Sequence, residues 1–141
     1  MMEAGINVKQ LLKYIINPAL DELSTAFQRD LNTRTARQIL VVTAGVESGM
    51  GHYVRQLGNG PALNIYQMEK WVYEDDWKRV TDWIERKKLD IPDYGLLKAQ
   101  YADAEWTIRD NFAATVAARL HYWLVPHALP EAGNVEKIWL Y

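Results

Sequence analysis

The chain has 141 residues, 49% of them hydrophobic and 24% charged, with a net charge of −2 and no cysteine. That length suits one domain with a sizeable core, and the missing cysteines exclude a disulfide scaffold and thiolate metal sites. The slightly acidic balance excludes a general nucleic-acid binder, which needs a basic surface to displace counterions from phosphates.

The first residues, Met1 to Gln10, carry no basic region followed by an apolar core, so no signal peptide is expected. The longest apolar run, Ile39 to Ala44, is far too short for a transmembrane segment. No repeat, linker or low-complexity stretch divides the chain, so residues 1–141 read as a single domain. Asn7 is placed to cap a helix from Val8 to Ile16, and Pro18 either starts a new helix or kinks this one. Leu20, Leu23 and Phe27 continue with helical spacing. Asn32 or Thr33 caps the next helix, from Arg34 to Glu47. Its Ala36, Ile39, Leu40, Thr43 and Ala44 follow the pattern of a buried face. β-Branched Val41 and Val42 widen that stripe, so this helix is expected to be the central one. Gly49 and Gly51 stop it.

From Gly49 to Pro61 a loop is expected, with a short hairpin around Gly58-Asn59-Gly60. The segment YEDDWKRVTDWIERKK reads as a helix. Glu74, Asp75 and Asp76 stand at its start and Arg86, Lys87 and Lys88 at its end, which complements the helix dipole. Beyond Pro92, YGLLKAQYADAEW reads as helix. The last helix runs from Asp110 to Leu124, and Pro126 and Pro130 end it. No long alternating pattern appears. The fold class is therefore mainly α: helices around a central buried helix, with a minor or absent β-hairpin.

Glu47 is the residue that invites a chemical reading. It lies eleven residues after Ala36, which at about 100° per residue returns it to within about 20° of the apolar stripe. It also sits in the last turn, where unpaired carbonyls make the local potential negative. Both effects disfavour a carboxylate, and a glutamate that keeps its proton near neutral pH is what a general acid needs. The competing reading is a buried glutamate paired with Arg55 or Arg119.

The pair Glu47-Ser48 at a helix end, a glycine-bearing loop, then Ala62-Leu63-Asn64-Ile65-Tyr66-Gln67-Met68 resembles the lytic transglycosylase and goose-type lysozyme family. The segment GPALNIYQME is similar to phage and prophage proteins with a lysozyme-like domain, and Ala118 to Pro130 resembles their later helix and its exit. The resemblance implies a lysozyme-like fold and cleavage of peptidoglycan glycan strands. Glu47 would be the catalytic acid/base, Ser48 would orient its carboxyl, and Tyr66, Gln67 and Asn64 would line the sugar cleft. Tyr122 would match the tyrosine such proteins place near the acid, although their Ala-Tyr-Asn motif is absent. It further implies no cofactor, a place in the virion or host cytoplasm with action on the cell wall, and contact with other phage proteins. One departure stands out: Asn64 occupies a position where the family prefers glycine. Asn is the non-glycine residue best suited to a left-handed conformation, so the turn is expected to survive, with a side chain directed at the cleft. The alternative is a lysozyme-like virion structural or protein-interaction module with weakened catalysis.

A hydrolase uses two carboxylates, whereas a lytic transglycosylase manages with one and leaves a 1,6-anhydro end. The next acid, Glu69, follows Glu47 by 22 residues. Across a cleft from Glu47 it would suit inverting hydrolysis, as in chitinases on a related fold. Otherwise it is a helix-entry charge beside Trp71. His52, His121 and His127 lack the spacing of a helical metal pair, so no metal is expected. Trp71, Trp77 and Trp83 recur every six residues, which scatters them over three helix faces.

Overall fold

The computed structural model describes residues 7–48, 62–108 and 110–124. The loop from Gly49 to Pro61 with its Gly58-Asn59-Gly60 turn, the prolines after Leu124, and His52, Arg55 and His127 lie outside the described residues.

Asn7 caps the first helix, its Oδ1 accepting from the Lys9 and Gln10 N–H groups at 2.9 and 3.3 Å. Helix α1 (Val8–Leu11) passes into a π-helical turn (Leu12–Ile16) and then into α2 (Asn17–Phe27). Pro18 explains the wide turn. Proline lacks an N–H, and its ring crowds the carbonyl four residues back. The turn opens so that the Asn17 N–H reaches the Leu12 carbonyl, and the helix continues through the proline unbroken. Pro18 therefore both starts α2 and deforms what precedes it.

Thr33, rather than Asn32, caps α3 (Arg34–Ser48): its Oγ1 accepts from the Ala36 N–H at 3.1 Å. Ala36, Ile39, Leu40 and Ala44 are buried as their spacing predicts. Val41 and Val42 are only half-buried and Val46 is exposed, so α3 is not the central helix. That place belongs to α6 (Asn111–Leu124), which packs against α2, α3, α4, α5 and the π turn. Every residue from Ala113 to Leu120 on α6 is buried. Alanines 113, 114, 117 and 118 cover several faces, so neighbouring helices approach from all sides. An apolar surface all round is the mark of a fully buried helix, and the stripe of α3 is the mark of a helix packed on one side.

The described residues contain one short hairpin, whereas the turn expected at Gly58-Asn59-Gly60 lies outside them. Strands β1 (Ala62–Leu63) and β2 (Met68–Glu69) pair antiparallel, with Ala62 opposite Glu69 and Leu63 opposite Met68. Helix α4 (Lys70–Lys87) starts directly from β2. The cluster Glu74, Asp75, Asp76 thus falls beyond its first turn, which holds no acid. Glu74 pairs with Lys70 at 3.8 Å, and Asp76 is buried. Arg86 and Lys87 occupy the last turn as expected, and Lys88 ends the helix in a left-handed conformation. The single helix suggested by YGLLKAQYADAEW is split into α5 (Tyr94–Tyr101) and a 3-10 helix (Glu105–Ile108). Asp103 starts the second piece, its Oδ1 accepting from the Glu105 N–H at 3.0 Å. Asp110 caps α6 through the Phe112 and Ala113 N–H groups.

One device ties elements together three times, twice between helices and once between the hairpin turn and α6. Thr43, Thr81 and Thr115 each donate to the carbonyl four residues back, at 2.7, 2.8 and 2.7 Å. A hydroxyl has one proton, so its oxygen is left to accept, and a tyrosine hydroxyl from another element donates to it. The pairs are Tyr122–Thr43 at 2.6 Å, Tyr94–Thr81 at 2.6 Å and Tyr66–Thr115 at 2.7 Å. Phe27, Trp83 and Trp123 add edge-to-face contacts that close α2 and α4 onto the end of α6. No helix among the described residues is long and apolar enough to cross a membrane.

Candidate functional site

The hairpin turn is built on two left-handed residues, Asn64 (φ 62°) and Gln67 (φ 51°). The Gln67 N–H donates to the Asn64 carbonyl at 3.1 Å, and the Gln67 side-chain Nε2 donates to the same oxygen at 2.7 Å. Asn64 takes the conformation expected of it, but its side chain does not enter the cleft. It is buried: Oδ1 accepts from the Tyr66 N–H at 2.9 Å, and Nδ2 donates to Thr107 Oγ1 at 3.0 Å. Thr107 in turn donates to the Ala104 carbonyl at 2.6 Å, so Asn64 fastens the turn to the 3-10 helix. The expected sugar contact at Asn64 is thus corrected to a scaffold role. The buried Thr107 hydroxyl supplies the partner that holds its amide inward.

The turn sets one wall of a cavity of about 310 Å³ lined by Glu47, Tyr66, Gln67, Glu69, His121 and Tyr122 among others. Four elements meet there: the last turns of α3, the hairpin, the first turn of α4, and the last turns of α6. The Tyr122–Thr43 bond positions them. Thr43 is one turn before Glu47 on the same helix face, so tying Thr43 to α6 carries Glu47 to the rim of the cavity. Tyr66 is buried, and its hydroxyl is committed to Thr115. Loss of hydration pushes its phenol well above the ordinary tyrosine range, so it stays neutral and shapes the wall.

Glu47 differs from its sequence-based expectation. It is exposed, not buried with the stripe. Buried positions on α3 end at Ala44; Gly45, Val46 and Glu47 are exposed. Helical periodicity gives the direction of a side chain, but burial requires another element opposite it. Among the described residues none makes a hydrogen bond or ion pair with Glu47. Arg119, one of the partners considered for it, is buried and donates from Nε to the Leu31 carbonyl at 2.8 Å. Ser48 is the last residue of α3, and its side chain lies outside the described residues.

Glu69 takes the helix-entry position beside Trp71. It is the residue before α4, its carboxylate accepts from the Trp71 indole N–H, and it lines the same cavity as Glu47. His121, which in the sequence is a candidate near Tyr122 with no clear equivalent in the resembled family, is brought to the cavity by α6. Its Nδ1 lies 2.7 Å from Asp76 Oδ2, with the histidine side chain 40% exposed and the aspartate side chain 5%. The available signal was Asp76 itself, an acid that falls on the inner face once α4 is begun at Lys70. Among the described residues no group of three or more His, Asp or Glu side chains is arranged to hold a metal ion. No protein-family model, curated protein or solved structure matches the chain.

Proposed function

We propose that the chain is a peptidoglycan-cleaving glycosidase of lysozyme-like type, with Glu47 as the general acid. The observation that carries this reading is the shared cavity. It brings Glu47, Gln67 and Glu69 together with Tyr66 and Tyr122, five of the seven residues that the resemblance and the acid spacing single out. A glycan seated there would displace water from the Glu47 carboxyl and set it against a glycosidic oxygen, the arrangement that proton donation to a leaving group requires. Gln67, held by the turn, offers an amide to the sugar, and Tyr66 supplies a rigid wall.

The test is release of soluble fragments from purified peptidoglycan by the parent and by Glu47→Gln. Cleavage by the parent, reduced at least about a hundredfold in the variant, is the expected result for loss of a general acid. No cleavage by the parent across a range of pH overturns the reading.

A second reading rests on the exposure of Glu47 and of Trp71, which is 65% exposed beside the cavity. An unshielded acid and a solvent-facing indole suit a virion protein-interaction module that retains the scaffold. An inactive parent that binds another phage protein is the outcome that favours it.

A further inference from the structure

The cavity wall carries a histidine, bonded to a buried aspartate behind it, that the acid at Glu47 does not explain. His121 lines it from α6, and Asp76 lies beneath on α4, almost wholly buried. The 2.7 Å contact commits Nδ1–H to the carboxylate. In the neutral ring this leaves the lone pair on Nε2 as the acceptor. A buried carboxylate behind an imidazole fixes the tautomer and ring orientation and stabilises the imidazolium that forms on protonation. The other titratable groups around the cavity are placed differently. Glu47 is the proposed donor, Glu69 already accepts from the Trp71 indole, and the Tyr66 hydroxyl is occupied by Thr115. Tyr122 donates to Thr43.

We propose that His121, positioned by Asp76, is the base that activates water for glycan hydrolysis; the inference rests on the glycosidase reading of the same cavity. The bond between the anomeric carbon and the leaving oxygen breaks with its electron pair on that oxygen, which takes the Glu47 proton. The water oxygen forms the new bond to the anomeric carbon, and its released proton passes to His121 Nε2. Glu47 and His121 then return to their starting states by proton exchange with solvent. A transglycosylase that recycles one carboxyl has no use for a second, oriented base. The dyad therefore points to water as the nucleophile and to reducing product ends.

The test compares the parent, Glu47→Gln, His121→Gln and Asp76→Asn on purified peptidoglycan in water enriched in heavy oxygen. Expected are labelled reducing ends from the parent. His121→Gln should lower kcat about a hundredfold with KM within about threefold, and should lose the acidic limb of the pH–rate profile. Asp76→Asn should lower kcat about tenfold with KM little changed. Circular dichroism checks folding, and His121→Asn substitutes if His121→Gln fails to fold. Three outcomes overturn the proposal while leaving the glycosidase reading standing: anhydro ends without label, a His121→Gln enzyme within twofold of the parent, or an unchanged pH limb in that variant. A parent with no cleavage removes both.

Discussion

Asn64 shows how one residue serves both local geometry and long-range attachment. Its left-handed backbone conformation favours glycine sterically, yet glycine would lose both buried side-chain hydrogen bonds and leave Thr107 without a donor to its oxygen. Alanine would lose the same bonds and add the steric cost of a β-carbon that cannot compensate by local hydrogen bonding. The expected order of stability is Asn, then Gly about 1–2 kcal/mol lower, then Ala about 2–4 kcal/mol lower. Urea unfolding with an unchanged m-value measures it, and equal midpoints for Asn64 and Asn64→Gly would show that the side-chain bonds contribute nothing. The conformation of Asn64 was legible in the sequence because it depends on residue type. The direction of its amide was not, since Thr107 is 43 residues away.

At the scale of elements, α6 organises the molecule through its small residues. Four alanines among eight consecutive buried positions leave space for helices on every side. Ala114 is fully buried, so a larger side chain there has no space to enter without moving a neighbouring element. Ala114→Leu is expected to destabilise the fold by about 1–3 kcal/mol, read as a lowered melting temperature by circular dichroism. A variant as stable as the parent would mean that α6 is not tightly surrounded. The regular spacing of Phe112, Val116, Leu120 and Leu124 draws attention to a single stripe of this helix. The alanines between them carry the information that it is buried all round, and an alanine is equally common on exposed helix surfaces. The prominence of Val41 and Val42 on α3 misleads for the converse reason: bulk and branching do not ensure that a second element covers a face.

Across the whole molecule, tyrosines act as buried neutral connectors. Burial raises the phenols of Tyr66, Tyr73, Tyr94 and Tyr101 above the ordinary value of 10.0. Tyr73 donates to the Tyr101 carbonyl, and Tyr101 donates to Glu22 at 2.9 Å, which joins α4, α5 and α2. In the unfolded chain these phenols ionise near the ordinary value, whereas in the folded chain they do so only at higher pH. Their contribution to stability is therefore complete below about pH 10 and declines as pH rises towards the folded-state values. In an alkaline titration, phenolate absorbance from these four residues should appear only together with loss of the far-ultraviolet circular dichroism signal. Their ionisation in a protein that keeps its helical signal would overturn this.

The caps at Asn7 and Thr33, the helical class, the start of α6 and the left-handed turn residue all follow from the chain's own local order. Each depends on hydrogen bonds and sterics within a few residues, where side-chain type is enough to decide. The position of Glu47 outside the core, the choice of α6 as the central helix, and the meeting of His121 with Asp76 depend on groups far apart in the chain. Thr43 and Tyr122 are 79 residues apart and His121 and Asp76 are 45 apart. Burial and pairing are properties of two surfaces brought together. Helical period can orient one of those surfaces, and folding alone supplies the other.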